Sequence, residues 1–379
     1  MFNKRLITAG VAVAAVALTL SGCSGTAGSQ KSDEPGGVDA STATSVDVFG
    51  GIDGLAAAAK KEGTLNIIAT PVDWANYGEI FKSFEDKYGV KIVSSQDQAS
   101  SQVEIDTAKN LDGQDIAPDV FDIGSSVAVA NTKWFAPYKP TGWGDVADNL
   151  KESTGLWHVG YYGLMSVGYD TNKIKTPPTS VDDLMGSEYK GAIALNGNPT
   201  QSTSAQGAIM YLGINNGGST QDITPGLEFV KKLKAVGNWN SADGKPDTIA
   251  SGEVPVILDW SFNQLGFAES PAIKSGGVDW KYVVLPGTGY AGYYNQAINV
   301  HAPHPAAARL WQEYLYTDAA QAMWLKGGAF PVRIDAMLKD GSVKEADLPG
   351  KPDKVESMTT DEATKAGDVL NNNWADIIG

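Results

Sequence analysis

The run Val254-Pro255-Val256-Ile257-Leu258 leads directly into Asp259 and Trp260. A short continuous apolar run reads as a strand buried on both faces, as in a parallel sheet. A carboxylate straight after it is costly unless it is exposed or paired. Open α/β sheets bind ligands outside the carboxyl ends of their strands. Asp259 is therefore expected to face a cleft and select charge, with Trp260 offering a face to stack upon. Polar or aromatic residues stand at corresponding points elsewhere: Asp73-Trp74, Ser125-Ser126, Thr200 through Ser204, and Tyr293-Tyr294.

A carboxylate beside an aromatic face suits an ammonium group, through charge pairing and cation–π attraction. Serines at a helix start suit an anion, because exposed amides there bind negative groups. A zwitterion uses both. Each position also has a purely structural reading. Asp73 is placed to be the N-cap of the following helix and Trp74 to cover it, and Ser125 and Ser126 are N-cap residues whether or not anything binds. Neighbouring tyrosines on a strand point to opposite faces, so one of Tyr293 and Tyr294 is expected to reach a cleft.

Catalytic chemistry finds little support. Gly287-Thr-Gly-Tyr-Ala-Gly292 matches a dinucleotide fingerprint, but Tyr293 to Ile298 reads as strand where the fingerprint needs a helix, so the glycines read as a flexible turn. There is no Gly-x-Ser-x-Gly elbow, the sole cysteine is Cys23, and the only histidines are His158, His301 and His304. The last two flank Pro303, which denies them a shared helical metal face and leaves them as loop residues at a strand-to-helix junction. No enzyme, cofactor or metal site is expected. A formal charge of −15 argues against nucleic acid, which needs clustered Lys and Arg.

The elements that position these residues follow in order. Lys4 and Arg5, the apolar run Leu6–Leu20 and Leu20-Ser-Gly-Cys23 have the layout of a secretory signal. Ser24 to Ser45 has almost nothing to bury and reads as a flexible tether. From Gly51 a helix, the strand Thr64–Thr70, a helix bearing Tyr77, Ile80, Phe81, Phe84 and Tyr88, and strands at 90–93 and 118–123 read as a doubly wound α/β lobe. After an extended stretch at 160–170, the strand 191–195, helices from Ser202 and Thr224, and strands at 254–259 and 280–285 read as a second α/β lobe. The chain returns through Tyr293–Val300 to a helix opened by Pro305. Two passages between lobes imply a hinge that closes on a ligand. The tail, with Trp311, Trp324 and Trp374, reads as packing, and Val369 to Ile378 as a final helix docking on the lobes or the hinge.

Leu-Ser-Gly-Cys23 resembles the bacterial lipobox, with Cys23 as the acylated first residue of the mature protein. Together with Thr171-Asn-Lys-Ile174, Glu188-Tyr-Lys-Gly191, Gly252-Glu-Val-Pro-Val256 and Ala297-Ile-Asn-Val-His-Ala-Pro-His-Pro-Ala-Ala307, the chain resembles the extracellular solute-binding lipoproteins of ABC importers, nearest to the polyamine and ferric-ion binders. The resemblance implies an α/β periplasmic-binding fold of type II: two doubly wound lobes, a two-stranded hinge and a cleft between them. It implies a signal at residues 1–22, a lipid-anchored tether at 23–48, a discontinuous first lobe at 49–168 with 299–379, and a second lobe at 169–298. It further implies a monomer held at the cell membrane by Cys23, facing outward and delivering a small solute to permease subunits. Acidic and tryptophan residues line polyamine clefts, which Asp259, Trp260 and Trp74 would supply. Ferric binders use paired tyrosines, for which Tyr293-Tyr294 or Tyr161-Tyr162 would serve. An aminophosphonate-type solute, a secreted hydrolase and a surface adhesin are the remaining alternatives.

Overall fold

A computed structural model describes residues 37–97 and 99–378. The signal and Cys23 lie outside them. Helix α1 (Ile52–Glu62) ends at Gly63 in the left-handed region, φ 78°, and the chain turns at once into β1 (Thr64–Ile68). Helix α2 (Tyr77–Tyr88) stops the same way at Gly89 and leads to β2 (Lys91–Ser95). Helix α3 (Ser101–Asn110), β3 (Val120–Gly124), α4 (Ser125–Ala130) and β4 (Phe135–Ala136) follow. The strand β5 (His158–Asp170) is buried along its whole length. Next come β6 (Ile193–Leu195), α5 (Thr203–Ile214), α6 (Thr224–Val236), α7 (Pro246–Ala250), β7 (Val256–Trp260), α8 (Ser261–Glu269), α9 (Pro271–Ser275) and β8 (Trp280–Val283). A second long strand, β9 (Thr288–Asn299), precedes α10 (Pro305–Leu315), α11 (Asp318–Lys326), β10 (Phe330–Pro331), α12 (Ile334–Asp340), β11 (Lys354–Glu356) and α13 (Thr360–Ile378).

The two long strands organise everything else. β5 and β9 run antiparallel through residues 158–164 and 291–296. Beyond that pairing β5 takes β7 and β8 as neighbours, while β9 takes β3 and β4. The first half of β5 and the second half of β9 thus serve one apolar core, built with α1, α2, α10 and α11, and the second half of β5 serves another, built with α5, α6 and β7. Trp260 packs against both. The two strands are the paired passages expected of the type II arrangement.

Beside β9, β3 adjoins β1 through Asp119 N–H to Asn66 O at 2.9 Å, and β1 pairs with β2 in parallel. Residue alternation divides the faces. Ile67 and Val120 join the core containing α2, whereas Ile68, Phe121 and Ile123 join a separate cluster with Ile105 and Ala108 of α3. The helices after β1 and before β3 therefore cover opposite faces, the topology at whose strand ends open α/β sheets place ligand crevices.

Four expectations need correction. The tether is shorter than residues 23–48, because Ser41 O and Ala43 O accept from the buried Arg309 guanidinium, both at 2.7 Å, and Ala43 is itself buried. The span 299–379 does not all belong with the first lobe: Ala366, Leu370, Trp374 and Ile377 of α13 pack into the core of α5 and α6. Gly289 and Gly292 are not a flexible turn but lie inside β9, where a Cβ would fall 2.6 Å from Pro352 and 3.0 Å from the Trp260 ring. β7 is parallel only to β6; its other neighbour, β5, is antiparallel, and both faces are nevertheless buried.

Candidate functional site

Asp259 ends up enclosed, with no exposed surface. Its Oδ1 accepts from Ser204 Oγ, from Trp260 N at 2.7 Å and from Asn263 Nδ2 at 3.1 Å, and its Oδ2 accepts from Asn196 Nδ2 at 2.7 Å. Burial raises its pKa and these donors pull it back. Each donor has a local cause. Asn196 directly follows β6, which is parallel to β7, so the two strand ends lie side by side. Asn263 is one helical turn beyond Asp259, in the first turn of α8. Ser204 is in the first turn of α5, capped by Ser202 Oγ. Each amide gives one N–H to Asp259, which fixes its orientation, and no described residue donates to the Oδ1 of Asn196 or of Asn263. Both side chains are half-buried.

The aromatic residues meet where the long strands cross. Trp74 packs edge-on against Tyr294 with centroids 4.8 Å apart, and also against Phe262 at 5.8 Å and Tyr161 at 6.0 Å. Trp260 stacks on Tyr290 at 5.9 Å, its edge seated over Gly207 and Gly292. Trp74, Trp260 and Tyr294 all keep partial exposure. The loop carrying Trp74 is held in an unusual shape: Ala69, Ala75 and Asn76 all take positive φ, costing roughly 1–2 kcal/mol each for residues other than glycine. Strain of this kind gathers at functional sites.

The tyrosines sort across strands rather than along them. Tyr161 stacks on Tyr294, ring planes 3° apart, and Tyr162 meets Tyr293 on the other face. The adjacent pairs are thus split by strand alternation. Burial raises the Tyr294 pKa and pushes that of Tyr293 up to about 12. Among the described residues no three of His, Cys, Asp and Glu come together as a metal-binding group.

The other singled-out residues are more dispersed. Asp73 is exposed and does not cap α2, whose N-cap position is Asn76. Ser125 is the first residue of α4 rather than its cap, and its Oγ accepts from Asn295 Nδ2 at 3.0 Å; Ser126 is exposed. Thr200 folds onto Asn198 Oδ1 and lines a cavity of about 270 Å³ shared with α13, not the group around Asp259. His301 and His304 bind Asp112 and Asp119, and His304 occupies the N-cap position of α10.

A second acidic centre lies beneath Tyr294. Asp122 accepts from Tyr77 OH and Tyr161 OH, both at 2.8 Å, and from Gln296 Nε2 at 2.7 Å; burial nevertheless pushes its pKa up to about 7. Glu104, from the first turn of α3, is buried beside β3 and accepts a hydrogen bond from Asp122 N at 3.2 Å. Burial and then the charge of Asp122 hold its pKa well above the usual carboxylate range.

A family model for bacterial extracellular solute-binding proteins matches residues 116–356. No curated protein matches the chain. Among solved structures, the fold is similar to the spermidine/putrescine ABC transporter substrate-binding protein PotD from Streptococcus pneumoniae, with TM-score 0.64, 15% identity, and 83% of this chain and 99% of that one covered. It is also similar to iron-bound HitA from Pseudomonas aeruginosa (TM-score 0.57, 19% identity, 82% and 98% covered) and to apo ferric ion-binding protein A from Pasteurella haemolytica (0.57, 15%, 82% and 97%). At these identities the likeness is one of fold.

Proposed function

The chain belongs to the bacterial extracellular solute-binding protein family, and from that premise we propose that it captures a small amine-bearing organic solute, polyamine-like in chemistry. It hands the solute to the permease of an ABC importer, acting as a monomer anchored through Cys23. The reading rests above all on the arrangement around Asp259. An acid that holds one N–H of each of Asn196 and Asn263 fixes both amides with their oxygens unpaired, and fixed acceptors suit a ligand rich in N–H donors. Partly exposed Trp74, Trp260 and Tyr294 supply π faces of the kind that attract cations, worth roughly 0.5–2 kcal/mol each. Asp259 acts here through the asparagines rather than by touching the solute.

Thermal-shift and calorimetric screening of the exported chain tests this against spermidine, putrescine, 2-aminoethylphosphonate, ferric citrate and inorganic phosphate. Amines are expected to raise the unfolding midpoint by mass action. Stabilisation by ferric citrate alone, with a tyrosinate-to-iron absorbance lost in Tyr294→Phe, would replace this reading with iron capture. Hydrolysis of a substrate, lost in Asp259→Ala, would replace it with an enzyme.

A further inference from the structure

The end of β3 holds two acceptors that lack donors. Glu104 is 1% exposed; its Oε2 takes one long hydrogen bond from Asp122 N, and its Oε1 takes none. On the neighbouring strand Asn295, fully buried, gives its NH2 to Ile123 O and Ser125 Oγ, and its Oδ1 is left without a partner. Buried polar groups are almost always paired, so two acceptors short of donors side by side are an exception. No cation is among the groups that couple to Glu104 or to Asp122. They are Asp122 on β3 and Tyr294 on β9, with Tyr77 of α2 and Tyr161 of β5 already donating to Asp122. What this crevice lacks is N–H donors and positive charge. It lies between β1 and β3, where the connecting helices change faces, next to the strained loop that carries Trp74.

We propose that Glu104 receives an ammonium group of the solute in the crevice between β1 and β3. The proposal rests on the amine reading above and assigns a residue that makes the contact. It also implies a proton count. With no cation beside it, burial and then the Asp122 charge raise the Glu104 pKa and favour its protonated form; an ammonium beside it favours the carboxylate, so amine entry is expected to release protons to solvent.

Isothermal titration of spermidine, putrescine and 2-aminoethylphosphonate into the exported chain, at neutral pH in buffers of different ionisation heat, tests it. The expected result is net release of protons on amine binding. Glu104→Gln is expected to abolish that release and weaken binding about 30-fold, the factor given by a 2 kcal/mol loss, while its unfolding midpoint stays level or rises. Amine binding with no proton exchange, or with equal affinity and equal release in Glu104→Gln, overturns the assignment and leaves the amine reading standing. Failure of every amine to bind wild-type protein overturns both. The wild-type proton count needs no variant, so poor folding of Glu104→Gln would not shield the proposal.

Discussion

Asp259 and Glu104 are both buried acids beside strand ends, and they meet burial in opposite ways. Asp259 is surrounded by four protein donors from β6, α5, β7 and α8, so its charge is satisfied before any ligand arrives. Glu104 has one. Burial raises the pKa of both, but at Asp259 four hydrogen bonds oppose the rise, whereas at Glu104 one hydrogen bond opposes it and a neighbouring carboxylate adds to it. A buried acid supplied by the protein is a scaffold, and one left short of donors is a receptor. The same fold carries one of each on either side of the crossing strands.

The comparison breaks most visibly in stability. Asp259→Ala strands buried donors from several elements and is expected to cost about 3–5 kcal/mol in urea unfolding, whereas Glu104→Gln costs little or stabilises. Equal losses in the two variants would erase the distinction.

The pH dependence sharpens it through Asp122 and His158. Buried His158 has its pKa pushed down to about 3 from 6.5, so between those values the unfolded chain binds the extra proton and stability falls as pH drops. Asp122 has its pKa raised from 3.8 to about 7, so the folded chain binds the extra proton and stability falls as pH rises through that window. The two largely offset each other. Relative to wild type, His158→Gln is expected to lose stability as pH rises from 4 to 7, and Asp122→Asn to gain it, each by roughly 3 kcal/mol across the range. Urea midpoints at several pH values read this directly; parallel curves for all three proteins would contradict it.

Smaller effects follow. Trp260→Ala empties the seat between both cores and is expected to cost roughly 3 kcal/mol, with Gly292→Ala destabilising because its Cβ meets the indole at 3.0 Å. Asn263→Leu removes one fixed amide oxygen and is expected to weaken amine binding by about tenfold, with a change in unfolding midpoint far smaller than that of Asp259→Ala.

Much of the architecture was legible because it follows from period and punctuation. Gly63, Gly89 and Gly237 end helices, and apolar runs mark β1, β3 and β7. The family was legible in ordered short motifs, and its model matches residues 116–356. Asp259 was visible as an acid ending an apolar run, but its four donors were not, since Asn196 and Ser204 are distant in sequence and are brought near only by the parallel pairing of β6 and β7. Asn263 carried a signal, one helical turn beyond Asp259, and Ser204 closed the polar run Thr200 through Ser204, though neither pointed to Asp259 as its partner. Glu104 carried none, because an acid in the polar helix Ser101–Asn110 reads as a solvated face, and its burial depends on the gap between β1 and β3. The inward packing of residues 40–49 was hidden likewise, being set by the donors of Arg309.

The contrast between the two acids can be read in one spectrum. Infrared difference spectroscopy of the exported chain, recorded before and after spermidine addition, reports protonated carboxyl groups through their C=O band. Loss of one such band in wild type and in Asn263→Leu, and its absence in Glu104→Gln, is the expected result. A spectrum in which no protonated carboxyl disappears on binding, or in which the loss persists in Glu104→Gln, would contradict the assignment of Glu104 as the receptor.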